Sequence, residues 1–179
     1  YADDCMIFCK SRKSAERTLK NIIPFIEKKL FLKVNRKKTE VAHISTVKYL
    51  GYSFYRHKGK CRFRVHPKSV AKMKNRIREL TDRNKGISNE VREKKYQEYV
   101  RGWVEYFRLA DMKKLLQKTD EWARRRIRAV YWKQWKKIKT KCRMLKALGL
   151  EDWKAKELAN SRKGYWRMAK VLNQIFKKK

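Results

Sequence analysis

Two adjacent carboxylates, Asp3 and Asp4, follow Tyr1 and Ala2 at the start of the chain. Residues 5–9 after them are β-type, which predicts a tight turn that leads into a strand. Carboxylates at such a turn can hold two divalent ions about 3.5–4 Å apart, as nucleotidyl transfer requires. Ordinary turn chemistry also explains an Asp-Asp pair, so the pair alone leaves both interpretations open. Because no start methionine or leading strand precedes the turn, we expect the chain to be a piece of a longer protein.

Charge is the second outstanding feature of the sequence. The chain has 52 Lys and Arg residues but only 17 Asp and Glu residues, which gives a net charge of +35 over 179 positions. A folded chain with this charge repels itself unless a polyanion lies against it. Residues 68–179 carry 35 of the basic and 12 of the acidic residues, and residues 123–150 contain no acidic residue at all. A solvated helix normally mixes signs, so the composition indicates a nucleic-acid partner.

Composition also excludes several classes of protein. The chain is 42% hydrophobic and 12% aromatic, enough to build cores, so simple disorder is not expected. Cys5, Cys9, Cys61 and Cys142 lack zinc-site spacing and read as free thiols in a reducing compartment, with Cys5 and Cys9 buried on one strand face. No apolar stretch approaches the ~20 residues that span a bilayer. We therefore expect a cytoplasmic location and no membrane partner.

The first 67 residues have an α+β texture. Ser11 is a suitable N-cap for a helix whose apolar residues recur at helical spacing. Short β-type runs follow at residues 39–44, 47–55 and 61–65, with a hairpin turn at residues 56–60. Pro67 marks the boundary of this segment.

The remainder, residues 68–179, is predicted to be an all-α bundle. Ser88 can cap its second helix, and Gly149 can close its fourth. The expected helices span residues 69–82, 88–107, 111–137, 141–148, 151–159 and 165–176.

Several blocks of sequence give the chain a family resemblance. The YADD turn, residues 30–39 and residues 47–54 resemble, in order and spacing, the last three conserved blocks of group II intron reverse transcriptases. The helical part resembles the thumb and maturase domain of the same proteins at residues 102–107, 120–128, 132–136 and 161–169. The resemblance implies a partial reverse-transcriptase palm in residues 1–67, followed by a thumb and maturase (domain X) bundle in residues 68–179.

The resemblance also implies roles for residues in the first segment. Asp3 and Asp4 match the catalytic pair that binds two Mg²⁺ ions, with Tyr1 and Ala2 beside the primer end and the incoming nucleotide. Lys38 matches a catalytic lysine that approaches the triphosphate, although a plain solvated lysine explains it equally well.

A second short block, Leu50, Gly51 and Tyr52, matches the primer-grip hairpin of the family. A glycine at this point lets the backbone come close to the primer strand. We therefore expect these three residues to lie next to the primer.

The helical part offers candidate RNA ligands. Arginine forks and lysines suit phosphates, and aromatic rings such as Tyr131, Trp132, Trp135 and Trp166 can stack on unpaired bases. For Trp103, Trp122 and Trp135, which sit on apolar stripes, a core position is the stronger interpretation. The candidate RNA-binding cations are Arg124, Arg125, Arg126, Arg128, Lys133, Lys136, Lys137, Lys139, Lys141, Arg143, Arg162, Lys163 and Arg167.

The resemblance implies that the intact protein is an RNA-directed DNA polymerase. It would bind intron RNA and a DNA primer or target, and would assist splicing and intron mobility. The family's third catalytic aspartate has no counterpart in this sequence, so the chain alone is predicted not to polymerise. A non-catalytic basic RNA-binding module, a decayed remnant, or a DNA-binding protein attracted by charge alone are the alternatives. The sequence leaves the oligomeric state, the intron and the target site open.

Overall fold

The structure, a computed structural model, describes residues 5–173 of the chain. These residues divide into two compact units, one that ends at His66 and one that begins at Pro67. The first unit contains helix α1 (Arg12–Lys28) and strands β1 (Lys48–Tyr49), β2 (Tyr52–His57) and β3 (Lys60–Val65).

Helix α1 begins where the sequence predicts. The Ser11 backbone is extended, and its hydroxyl accepts a hydrogen bond from the Ser14 N–H at 3.2 Å. Such a bond satisfies one of the N–H groups that have no partner inside the helix. The helix then continues through Pro24 to Lys28, and none of its side chains is buried.

Two tight turns organise the antiparallel sheet, whose strand order is β1-β2-β3. Leu50-Gly51 joins β1 to β2 with φ angles of 47° and 82°, and Lys58-Gly59 joins β2 to β3 with 47° and 76°. Positive φ at both central residues is typical of the type I′ turn, in which glycine is favoured. The predicted hairpin between β2 and β3 is confirmed, while residues 47–55, predicted as one run, contain a turn and parts of two strands.

Two other strand predictions in this unit are wrong. Residues 5–9 are irregular, and residues 39–44 contain no strand and lead into a turn in which the Thr46 N–H donates to the His43 carbonyl at 2.9 Å. A β-type sequence becomes a strand only where another strand pairs with its backbone, and the described sheet has three strands. Cys5 is exposed and Cys9 half-buried, so the predicted burial of both thiols is also wrong.

The second unit consists of six described helices. The predicted N-cap is confirmed, since the Ser88 hydroxyl accepts from the Val91 N–H at 3.3 Å. The predicted helices are all present with shifted ends, although residues 174–176 of the last one lie outside the described part of the chain. No helix between residues 5 and 173 is long and apolar enough to cross a membrane. The helices are α2 (Pro67–Leu80), α3 (Asn89–Tyr106), α4 (Lys113–Gln134), α5 (Ile138–Ala147), α6 (Asp152–Ala159) and α7 (Tyr165–Val171).

A hydrophobic core joins the end of α4 to α5, α6 and α7. Trp132 and Trp135 contact edge to face, with ring centroids 6.1 Å apart. Trp135 is therefore a core residue, as its apolar stripe indicates, and Trp132 is equally buried rather than available to a base. The buried members are Trp132, Trp135, Leu145, Ala155, Ala159, Met168 and Leu172.

Gly149 ends helix α5 in a Schellman motif. Its φ is 90°, its N–H donates to the Lys146 carbonyl at 2.8 Å, and the Leu150 N–H donates to the Leu145 carbonyl at 3.2 Å. Leu150 then packs against the core. The predicted helix stop at Gly149 is confirmed.

Gly149 and Gly102, two of the glycines in the second unit, differ in backbone conformation and give a matched test. We expect Gly149→Ala to lower the free energy of unfolding by about 1 kcal/mol, because an L-residue is strained at this φ. We expect Gly102→Ala, in the middle of α3, to raise it by about 0.5–1 kcal/mol through helix propensity. A new Cβ meets nothing within 4 Å at either site, so backbone conformation alone decides the sign. Urea unfolding monitored by circular dichroism measures both, and shifts of the same sign would contradict the explanation.

Candidate nucleic-acid interface

The predicted metal-binding turn cannot be placed. Tyr1, Ala2, Asp3 and Asp4 lie outside the described residues. From residue 5 to residue 173, no group of three or more His, Cys, Asp or Glu side chains could hold a metal ion. The two-Mg²⁺ site therefore stays a prediction from the sequence.

Lys38 lies in a small exposed turn. The Asn35 carbonyl accepts three hydrogen bonds, from the Lys38 N–H, the Thr39 N–H and the Thr39 hydroxyl, at 3.1, 3.1 and 2.9 Å. An ion pair of 2.7 Å between Arg36 and Glu27 ties the turn to α1. Lys38 is thus presented to solvent on a closed turn, a position that suits both interpretations of its role.

The primer-grip candidates, Leu50, Gly51 and Tyr52, form the tight turn before β2 and the first residue of that strand. The Gly51 carbonyl accepts the His66 N–H at 2.9 Å, which ties the turn to the end of β3. Phe54, two residues further, is buried in the sheet as a packing residue. The turn therefore has a fixed backbone, while its role at a primer stays a prediction.

The arginines of α4 point in different directions. Arg124 is exposed and pairs with Asp120 at 2.7 Å. Arg125 donates two hydrogen bonds to the Trp166 carbonyl, at 2.9 and 3.2 Å. Arg126 donates to the Thr81 hydroxyl at 2.7 Å and to the Arg78 carbonyl at 3.3 Å. Among these predicted RNA ligands, Arg125 therefore bonds to the start of α7 and Arg126 to the end of α2, whereas Arg124 faces solvent.

Arg128 is buried and must be removed from the candidate surface. It is 7% exposed, and its Nε–H donates to the Ala169 carbonyl at 2.9 Å. Burial lowers the pKa of Arg128 from its ordinary value, and the nearby charges of Arg124 and Arg125 lower it further. An arginine still keeps its proton at neutral pH, so a buried cation joins α4 to α7. The sequence prediction of RNA contact at Arg128 does not fit this position.

The end of α4, the following loop and α5 carry five of the exposed candidate cations. We call Lys133, Lys136, Lys137, Lys139 and Arg143 the α4–α5 basic surface; all are exposed. Lys133 donates to the Asn84 side-chain carbonyl. No carboxylate among the described residues forms an ion pair with any of the five. The positive charges of these cations are therefore not neutralised by the described residues and can attract an external anion.

A depression of about 370 Å³ lies beside this surface, lined by Lys139, Cys142, Arg143 and Lys146. Lys146 pairs with Asp152, and this hydrogen bond raises the pKa of Lys146. Lys141 instead lies over the buried Trp132 ring, 4.7 Å from its centroid. The rim of the depression is therefore basic, and Asp152 neutralises one of its three cations.

The remaining candidates, Arg162, Lys163 and Arg167, lie near the start of α7. All three are exposed, and the Lys163 N–H donates to the Ser161 hydroxyl at 3.3 Å. Because they follow α6 in the chain, exposed basic residues continue in the second unit beyond the α4–α5 basic surface.

Two protein-family models match the chain, one in each of its two units. Residues 70–149 match the model of the group II intron, maturase-specific domain, and residues 1–54 match that of reverse transcriptase (RNA-dependent DNA polymerase). The chain belongs to the group II intron reverse transcriptase/maturase family. The predicted relationship is thereby confirmed, as is the order of an α+β reverse transcriptase segment and a mostly helical maturase region. No curated protein matches the chain.

The maturase-specific match includes the entire α4–α5 basic surface. It also includes a buried arginine that the sequence analysis missed. Arg92 is 1% exposed and donates to the carbonyls of Leu80 and Asp82, both at 2.8 Å, and of Lys85 at 3.2 Å. Burial lowers its pKa, and Asp82 partly opposes this effect. Its position among charged neighbours in the sequence gave no sign that it closes the end of α2.

Tyr131 is a second residue whose role the sequence did not show. Its hydroxyl donates to the Glu93 carboxylate at 2.7 Å and joins α4 to α3. Burial and this hydrogen bond raise the pKa of Tyr131 to about 12. A base-stacking role, one interpretation of the sequence, is less suited to a half-buried ring fixed in this way.

Two arginines of the maturase region separate packing from surface exposure. We expect Arg128→Ala to lower the free energy of unfolding by about 2–4 kcal/mol, because the Ala169 carbonyl loses its donor and the contact between α4 and α7 is emptied. We expect Arg143→Ala to change it by less than about 0.5 kcal/mol, since its side chain is exposed. Urea unfolding of the two variants measures the difference. Equal stability losses would show that Arg128 is not a packing residue.

Proposed function

We propose that the helical unit binds group II intron RNA through the α4–α5 basic surface and favours the spliceable fold of that RNA. The observation that supports this proposal is the set of exposed cations within the maturase-specific match that form no ion pair with a carboxylate of the described residues. In the same proposal, the intact protein copies RNA into DNA, and splicing chemistry belongs to the RNA.

The charge distribution favours phosphates as the ligand. From residue 123 to residue 150 the chain has eleven basic residues and no acidic one. Each cation that neutralises a phosphate releases a condensed counterion, which makes the binding free energy favourable and dependent on salt. A surface with unpaired cations loses few internal contacts when RNA arrives.

The packing of α5 against the hydrophobic core favours a folded RNA over a flexible polyanion as the partner. Leu145 of α5 is fully buried beside Trp132 and Trp135, so the helix that carries Lys139 and Arg143 is anchored in the core. Backbones fixed before binding lose less conformational entropy when the complex forms. Such an arrangement suits the defined phosphate positions of a folded RNA.

The polymerase part of the proposal depends on the sequence match to reverse transcriptase. Asp3 and Asp4 would hold two Mg²⁺ ions, Lys38 would approach the triphosphate, and the turn from Leu50 to Tyr52 would support the primer. When bound, the two ions would supply a nucleophile-activating charge and stabilise the leaving pyrophosphate. DNA primer or target strands are the further partners of the intact protein.

Binding in a salt series tests the RNA proposal. We expect the chain to bind folded group II intron RNA more tightly than duplex DNA of equal length, with a preference that persists at high salt. Replacement of Lys136, Lys139 and Arg143 by Gln should weaken RNA binding and reduce the slope of log K against log salt by roughly 0.7–0.9 per lost phosphate contact. Filter binding or fluorescence anisotropy measures both quantities.

A matched control removes the same charge elsewhere. Lys94, Lys95 and Lys118 are exposed residues of α3 and the first half of α4, and their replacement by Gln should change the affinity much less. Equal binding to RNA and duplex DNA would favour attraction by charge alone. Equal losses in the two triple variants would contradict the assignment of the α4–α5 basic surface.

Primer extension tests the polymerase proposal. We expect no extension on an RNA template by the chain alone, and extension with Mg²⁺ by a protein that also supplies the upstream reverse transcriptase segments. In that longer protein, Asp3→Ala or Asp4→Ala should reduce the rate by a factor on the order of 10³, from lost metal-ion charge stabilisation. RNA affinity, the control, should change by less than about twofold because neither residue is one of the five cations of the α4–α5 basic surface. Inactivity of the longer protein with both aspartates intact would favour the non-catalytic alternative.

A further inference from the structure

Four arginines and three aromatic rings meet between the end of α2, the middle of α4 and the start of α7. We call Arg78, Arg83, Trp122, Arg125, Arg126, Tyr165 and Trp166 the arginine–aromatic cluster. The Arg83 guanidinium carbon lies 3.4 Å from the centroid of the Tyr165 ring, and that of Arg125 lies 4.1 Å from the Trp166 ring. The guanidinium carbons of Arg78 and Arg126 lie 5.5 and 5.4 Å from the Trp122 ring.

Two of these rings have open surface. Tyr165 is 42% exposed and Trp166 is 36% exposed, whereas Trp122 is half-buried. The two exposed rings are neighbours in sequence, and each has a guanidinium against it. Because each of these residues stays more than a third exposed, we infer that its ring retains area on which a flat group can stack.

The cluster is held in place before any ligand arrives. Two hydrogen bonds from Arg125 to the Trp166 carbonyl fix the start of α7 on α4. Arg126 is fixed in turn by the Thr81 hydroxyl and the Arg78 carbonyl. A ligand that stacks here therefore meets a rigid platform and loses little free energy to ordering the protein.

The electrostatics of the cluster define the ligand class. No carboxylate in the described part of the chain forms an ion pair with its four arginines. The Asp82 carboxylate acts on Arg126 from a greater distance, so four positive charges meet one nearby negative charge and the surroundings of the rings have a net positive charge. A cationic ligand would be repelled, and the acidic side chains of a peptide carry negative charge but no flat ring to stack on Tyr165 and Trp166. A nucleotide has both a π-face and a phosphate. It must be unpaired, because a base inside a duplex has no free face.

We propose that Tyr165 and Trp166 form a stacking platform for one or two unpaired nucleotides of RNA, with Arg83 and Arg125 supporting the rings and attracting the adjacent phosphates. The inference rests on the proposed RNA-binding function and extends it to the chemical class of a second subsite. Stacking of this kind tolerates any base, because every base has a π-face. The platform would therefore select unpaired nucleotides without a preference for a particular base.

A comparison of two oligoribonucleotides tests the platform. One is single-stranded and contains 5-iodouridine, and the other has the same length and phosphate number but abasic positions. We expect the full chain to bind the first on the order of tenfold more tightly at matched salt, in line with base–aromatic stacking. Irradiation of the first complex should crosslink the RNA to the peptide that contains Tyr165 and Trp166.

Ring variants give the second measurement. Tyr165→Leu combined with Trp166→Leu should bring the ratio of the two affinities close to one and leave the affinity for the abasic strand unchanged. The matched control is Trp153→Leu on α6, which removes a ring that is 61% exposed and should leave the ratio unaltered. Tyr165→Phe should also keep the ratio, because it keeps the ring.

The outcomes separate this inference from the proposed function. A wild-type ratio near one, or a crosslink away from residues 165–166, overturns the platform even if the double variant fails to fold. An unchanged ratio in a folded double variant also overturns it. The preference for intron RNA over duplex DNA is measured with different ligands. If the chain showed no such preference, the proposed function would be overturned whatever the result for the platform.

Discussion

Scarcity of carboxylates is the constraint on which the helical unit depends. With 52 basic and 17 acidic residues in the chain, most cations cannot find an acidic partner. Arg92, Arg125 and Arg128 instead donate to main-chain carbonyls. Aromatic faces also contact guanidinium groups: Arg83 lies over Tyr165, and Arg125 lies over the Trp166 ring as well as bonding to its carbonyl. Neutral acceptors thus compensate these cations for lost hydration without cancelling their charge, which leaves the net positive charge of the unit available to a polyanion.

The division of the cations follows from helix packing rather than from residue type. Arg124 and Arg128 are four positions apart on α4, yet the first is exposed and the second is buried against α7. Burial of an arginine requires hydrogen bonds to its charged group, and only the tertiary fold supplies the carbonyl. The same helix therefore carries a structural cation and cations that face solvent, within one run that reads as uniformly basic.

Local signals in the sequence predicted much of this structure. Ser11, Ser88 and Gly149 mark helix ends because capping is decided by a few neighbouring residues. The predicted strand at residues 5–9 failed because a strand depends on a partner elsewhere in the chain. Among the candidate RNA ligands, charge could be read from the sequence, but the burial of Arg128 and Trp132 could not, since it depends on which face of α4 meets other helices. The Arg83–Tyr165 stack joins residues far apart in sequence and had no local signal.

Arginine-to-carbonyl bonds give the helical unit a particular response to protons. A carbonyl does not titrate, and an arginine stays charged far above neutral pH even where burial lowers its pKa. Mild acid protonates carboxylates and so breaks ion pairs, but it leaves in place the hydrogen bonds that Arg92, Arg125 and Arg128 donate to carbonyls. The joints between α2 and α3 and between α4 and α7 are therefore built from partners that acidification leaves unchanged, in a molecule whose positive charge can only grow as the pH falls.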